Sequence, residues 1–98
     1  MKEIKKVSIV GASGYTGAEL FRLLANHPLA EVIEVTGHRT AGRRLNDVCP
    51  WLDTEMMITE FDPEITQADI VFLCLEAGLA GNLARTLVER GIRVIDLS

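Results

Sequence analysis

Three glycines spaced by three, Gly11, Gly14 and Gly17, stand between an apolar run and a helical pattern in KKVSIVGASGYTGAEL. That arrangement suits the binding of a pyrophosphate, because the turn must bring bare backbone and a helix N-terminus against an anion. Gly11 lets the chain turn sharply without a Cβ clash, and Gly14 lets phosphate oxygens approach the main chain. Gly17 lies on the helix face that must pack closely on the strand. Ser13 and Thr16 add hydroxyl donors beside the free N–H groups of the first turn, where the helix dipole favours negative charge. The spacing is GxxGxxG rather than GxGxxG, a variant that leans toward enzymes using NADP. The alternative for the same glycines is a purely structural turn; a clear strand before them and a clear helix after them favour the nucleotide.

In an open parallel sheet, ligands lie beyond the carboxyl ends of the strands, so the other strand exits carry the remaining candidates. The second exit holds Gly37, His38, Arg39 and Thr40, with Arg43 and Arg44 close behind, and no Asp or Glu between Val35 and Leu45. An acid there would accept a ribose 2′-hydroxyl and repel a 2′-phosphate; a guanidinium grips the phosphate instead. Arg39 therefore points to NADP rather than NAD, against the alternative of a solvated loop charge. His38 supports the 2′-phosphate or the adenine face, or simply faces solvent, and Arg43 and Arg44 fit a surface helix as well as a contact. At the third exit, Leu75-Glu76-Ala77-Gly78, Gly78 is the candidate for close backbone approach to the cofactor, and Glu76 fits a structural charge at a helix start. Asp96 and Ser98 stand at the last exit.

The elements that must position these residues alternate. Lys5 to Val10 is a short β-branched strand, and the following helix carries Leu20, Leu23 and Leu24 as its apolar stripe until Asn26-His27-Pro28 ends it. Ala30 to Thr36 reads as a second strand. The stretch around Pro50 and Trp51 reads as irregular, Met56 to Thr59 as a short extra strand, and Asp69 to Leu75 as a buried strand containing Cys74. A helix with Leu79, Leu83 and Leu87, widened by Ala80, Ala84 and Val88, then ends at Gly91 in a left-handed cap with Ile92 as its apolar partner. Arg93 to Leu97 is a further strand. Strand–helix alternation implies right-handed crossovers and a doubly wound parallel α/β sheet, a Rossmann-like NAD(P)-binding arrangement.

Composition agrees. Ninety-eight residues make one small domain, short of a complete two-halved dinucleotide fold, and no apolar run reaches membrane length. No secretory signal precedes the first strand, so the expectation is a cytoplasmic chain without a membrane partner. A net charge of −4 argues against nucleic acid as the main partner. Cys49 and Cys74 lack metal-ligand spacing and disulfide density, which leaves them as reduced thiols and predicts no metal site.

GASGYTGAELFRLLANHP, HRTAG, DIVFL and the closing VIDLS together resemble the N-terminal part of the N-acetyl-gamma-glutamyl-phosphate reductase family, relatives of aspartate-semialdehyde dehydrogenase. The resemblance runs from about Val7 to Ser98. It implies NADP contacts from the Gly11 to Gly17 turn, with Ser13, Tyr15 and Thr16 included, a 2′-phosphate contact from Arg39 with His38 where the family often has serine, and contacts around Leu75 to Gly78. Glu76-Ala77 departs from the proline and histidine of many members, which leaves open a sister reductase acting on the homologous aminoadipyl substrate. The family reduces an acyl phosphate to an aldehyde with release of phosphate, by a cysteine thiolate, NADPH and a proton-moving histidine. Those catalytic residues belong to a later domain, so residues 1–98 are expected to be the truncated cofactor-binding portion of a homo-oligomeric enzyme, without a catalytic residue of their own.

Two other classes share the glycine spacing. An extended short-chain dehydrogenase needs lysine four residues after its tyrosine, and here Glu19 stands four after Tyr15, the only tyrosine. A non-catalytic module that holds NADP would need no thiol at all. A mononucleotide P-loop fails, since every lysine lies at or before Lys6.

Overall fold

The computed structural model describes residues 3–75 and 80–97. Strand β1 (Lys5–Val10) leads through the glycine turn into helix α1 (Tyr15–Ala25), and β2 (Ala30–Thr36) follows. A short helix α2 (Leu45–Val48) precedes the two-residue strand β3 (Ile58–Thr59); then come β4 (Ile70–Leu73), α3 (Gly81–Glu89) and β5 (Arg93–Asp96). The five strands form one all-parallel sheet in the order β3-β2-β1-β4-β5. This is the doubly wound, Rossmann-like α/β order, and its reversal point lies between β1 and β4.

β1 sits at the centre and is buried on both faces from Val7 to Val10, which is why it reads as a continuous run and not as an alternation. Val7 and Ile9 pack with Ala18, Phe21, Val35, Leu45, Leu52 and Ile58 on one side. Val10 packs with Val71, Leu73 and Leu87 on the other. The pairing of β1 with β2 slips by one residue between Val7 and Ser8, a bulge that sequence periodicity does not reveal.

α1 meets the sheet through Gly17, Ala18 and Phe21, with Leu20 and Leu24 half-buried. Leu23, expected in the stripe, is exposed: the small residues Gly17 and Ala18 bring that face of the helix closest to the sheet, and Leu23 lies well around the cylinder from it. Val88 is exposed for the same reason, because α3 buries the line through Leu83, Ala84 and Leu87. α3 ends as the sequence predicts. Gly91 has φ +78°, its N–H donates to the Val88 carbonyl at 2.9 Å, and the Ile92 N–H donates to the Leu87 carbonyl at 3.0 Å. This is a Schellman cap, with Ile92 packed on the same cluster as Leu87.

The fourth strand is shorter than its apolar run suggests, so Cys74 and Leu75 lie just beyond it and are half-buried. β5 likewise stops at Asp96 and β3 begins only at Ile58. Leu79, the expected first residue of the α3 stripe, lies outside the described residues, as do Glu76, Ala77, Gly78 and Ser98. Among the described residues no helix is long and apolar enough to cross a membrane.

Candidate functional site

The three glycines do different work. Gly11 has φ +87°, and a Cβ there would stand 2.5 Å from the Cys74 carbonyl oxygen, so the turn fits against the exit of β4 only without a side chain. The N–H groups of Gly11 and Ala12 both donate to the Thr36 carbonyl, at 2.9 and 3.0 Å, which pins the turn to the exit of β2. A Cβ on Gly17 would fall 2.2 Å from the Gly11 carbonyl oxygen, so the helix rests directly on the turn. At Gly14 the nearest such atom is 3.6 Å away, an ordinary contact, and the residue is exposed. The fold itself does not require glycine there; its bareness faces outward.

Gly14 is also the N-cap of α1, with no side-chain cap and no acid in the first turn. The first bond of the helix runs from the Ala18 N–H to the Gly14 carbonyl at 2.9 Å. The N–H groups of Tyr15, Thr16 and Gly17 find no acceptor among the described residues. A positive helix end therefore stands uncompensated at the reversal point of the sheet, where it can hold an anion.

The loop after β2 is tied to this turn. The Thr40 hydroxyl donates to Ser13 Oγ at 3.1 Å, which leaves the Ser13 proton to be donated elsewhere. Gly37 makes room for that contact, since a Cβ on it would lie 2.6 Å from Thr40 Oγ1. Below the turn the buried Cys49 thiol approaches the Ser13 carbonyl at 3.9 Å. Arg39 is exposed, and its guanidinium makes no hydrogen bond or ion pair with another described residue, whereas Arg44 lies 3.6 Å from Glu55. His38 Nδ1 lies 3.2 Å from Glu60 Oε1.

Between the ends of β1, β2 and β4 a cleft of about 240 Å³ is lined by Val10, Thr36, Gly37, His38, Glu60, Phe61, Leu75 and Leu83. Thr36 is fully buried, and its hydroxyl has no hydrogen-bond partner among the described residues. An apolar wall with a few polar groups at one rim is the form of a site for a flat heterocycle. The structure thus brings the glycine turn, Ser13, the His38–Arg39 loop and Leu75 to one edge of the sheet. Tyr15 and Thr16 instead line a shallow groove along α1 with Leu20, Leu23 and Leu97, and Tyr15 is 90 % exposed. Gly78 falls outside the described residues.

Neither thiol is activated. Burial pushes the Cys49 thiol up, and burial followed by the negative charge of Asp96 pushes the Cys74 thiol up. Both shifts favour the protonated form, the opposite of what a nucleophile needs.

A match to the family described as "Semialdehyde dehydrogenase, NAD binding domain" covers residues 6–98. The chain belongs to that family. The semialdehyde dehydrogenase domain of this chain is 41% identical to an N-acetyl-gamma-glutamyl-phosphate reductase of Methanococcus maripaludis (strain C5) over 97% of its length, and 43% identical to one of Akkermansia muciniphila over 100%. It spans only 29% and 30% of those two proteins. A solved aspartate semialdehyde dehydrogenase with NADP, from Candida albicans, matches with a TM-score of 0.82 at 30% identity, covering 96% of this chain and 29% of that one. A dihydrodipicolinate reductase of Paenisporosarcina sp. TG-14 matches with a TM-score of 0.75 at 15% identity and shares the fold alone. Membership makes the chain a nicotinamide-nucleotide-binding domain of oxidoreductases, and its relatives carry the reductase name to which the motifs pointed.

One residue at this edge, Glu60, and one contact, that of Thr40 with Ser13, were not visible in the sequence. Thr40 and Gly37 lie in the second-exit loop, but the contact of Thr40 with Ser13 spans 27 positions and has no local signature. Glu60 directly follows the next strand. β2 and β3 pair with Thr36 opposite Thr59, so Gly37 and Glu60 leave the sheet side by side.

Proposed function

We propose that residues 1–98 are the NADP-binding portion of an NADPH-dependent reductase, one that converts N-acetyl-gamma-glutamyl phosphate to N-acetylglutamate semialdehyde and phosphate in arginine biosynthesis. The observation that carries this reading is the uncapped N-terminus of α1 with Gly14 open above it, tied through Thr40 and Ser13 to the loop that carries Arg39, which has no partner among the described residues. The backbone N–H groups of the turn and the Ser13 hydroxyl would hold the pyrophosphate, Arg39 with His38 the 2′-phosphate, and Leu75 the wall beside it; Gly78 joins the list from its place at the third strand exit, and Tyr15 from the family resemblance. When bound, the cofactor supplies a hydride, so that acyl phosphate, NADPH and a proton become aldehyde, NADP and phosphate.

This portion binds and orients; it does not carry the reaction. Its two thiols are held protonated, which supports the reading that the nucleophile lies elsewhere in the parent enzyme and that the chain alone does not turn over an acyl phosphate. The parent reading includes a cytoplasmic homo-oligomer with no nucleic-acid or membrane partner.

Titration calorimetry of the chain with NADPH, NADH and 2′,5′-ADP tests the assignment. The 2′-phosphate ligands are expected to bind more tightly, and Arg39→Ala to weaken them about tenfold or more while leaving NADH unchanged, the loss of a charge-assisted bond. Equal binding of NADPH and NADH by the unaltered chain would remove NADP from the proposal; binding of neither would remove the nucleotide.

A further inference from the structure

The cleft beside the glycine turn contains a carboxylate that the second strand exit alone does not supply. Glu60 follows β3, and the parallel pairing of Thr36 with Thr59 delivers it to the same rim as Gly37 and His38. Its oxygens lie 3.2 and 3.4 Å from His38 Nδ1, and its side chain is otherwise largely exposed. Among the described residues it is the only acid lining the cleft, whose floor also carries the buried Thr36 hydroxyl, likewise without a partner among them. Arg39 is the neighbouring cation without an ion pair to a described residue; Arg43 and the Glu55-paired Arg44 lie further along the loop.

Resting on the nucleotide reading above, we infer that Glu60 is a specificity-determining residue that holds the preference for the 2′-phosphate down and lets the same cleft accept NAD(H). Two effects act together. The carboxylate competes with the phosphate for the His38 imidazole, and its own charge repels a 2′-phosphate bound at Arg39. The same oxygens are acceptors for a ribose 2′-hydroxyl, the role usually filled by an acid at the end of the second strand. In this chain that acid arrives from the third strand, so recognition of the phosphate and of the hydroxyl are built from two adjacent exits, one cationic and one anionic.

The experiment is a pair of calorimetric titrations, 2′,5′-ADP and 5′-AMP, on the unaltered chain and on Glu60→Gln. The substitution removes the charge, keeps the size and sits at an exposed position. The ratio of the two affinities is expected to shift toward 2′,5′-ADP by about fivefold, the effect of one like charge near 4 Å in water, with part of the change arising from weaker 5′-AMP binding. Glu60→Asp is expected to leave the ratio close to that of the unaltered chain. Salt at 1 M is expected to erase the difference between the unaltered chain and Glu60→Gln, since exposed charges are screened within about 3 Å there. A ratio that stays constant or shifts toward 5′-AMP in Glu60→Gln overturns the inference and leaves the nucleotide reading standing. Failure of the unaltered chain to bind either ligand overturns both.

Discussion

The two ends of the sheet differ in what their polar groups do. At the amino ends lies the larger cavity, about 450 Å³, lined by Lys5, Asp69, Arg90, Gly91 and Arg93 among others. Its polar groups are largely engaged within the protein. Asp69 accepts the Lys6 N–H at 2.8 Å, and Arg90 donates to the carbonyls of Pro63 and Thr66 at 2.6 and 3.2 Å. At the carboxyl ends the cleft is about half that volume, yet three helix N–H groups, the Thr36 hydroxyl and the Arg39 guanidinium have no partner among the described residues. Volume alone would choose the amino edge; the donors without a protein partner choose the carboxyl edge. Donors at a helix N-terminus without a protein acceptor are available to an anion, which their partial positive charge favours.

The glycines offer the sharpest way to break this contrast. Gly17→Ala at the carboxyl edge forces a Cβ to within 2.2 Å of backbone and is expected to cost more than about 3 kcal/mol, abolishing folding or binding. Gly91→Ala at the amino edge meets no atom within 4 Å and pays only for its left-handed φ, about 1 kcal/mol. Urea unfolding of the two variants compares them directly, and similar losses would refute the close-approach account.

Gly14→Ala separates folding from binding at a single edge. Its stability loss should stay below about 1 kcal/mol, the scale of an N-cap exchange. NADPH affinity should fall about tenfold, since the added methyl occupies space the pyrophosphate needs. Unchanged affinity by calorimetry would show that Gly14 is structural after all.

The smallest effect concerns the thiols. Both are held protonated in the fold, so the unfolded chain loses its thiol protons first as pH rises. Their contribution to stability is therefore complete below about pH 8.5, the ordinary thiol range, and is lost as pH climbs through the raised folded values. Cys74→Ala should flatten part of the decline in urea midpoint between pH 7 and 10. An unaltered slope would count against burial as the cause.

Much of this was legible in the residues. β1, the glycine turn, the Gly91 cap and the α/β class each follow from local chemistry: a β-branched run, positions where a Cβ is forbidden or unwelcome, and an apolar residue after a left-handed glycine. α2 was not legible, because four residues are too few for a helical period to declare itself. The bulge in β2 escaped because AEVIEVT alternates only weakly, so one extra residue leaves no visible break in the pattern. Glu60 escaped for a topological reason, since its place beside His38, 22 positions away, is set by the pairing of β2 with β3 and by nothing in its own neighbourhood.

The position of β1 has a consequence in time. Of the five described strands β1 comes earliest in the chain yet lies at the centre of the sheet, and its second edge is covered only by Ile70–Leu73, roughly sixty residues later. At about 5–20 residues per second on the ribosome, that edge waits for several seconds with unpaired N–H and C=O groups along an apolar strand. Such an edge invites wrong pairing. The hemisphere of β1, α1 and β2 must therefore stay loosely closed or sheltered until β4 emerges, and β4, not β1, decides when the cleft at the carboxyl edge exists.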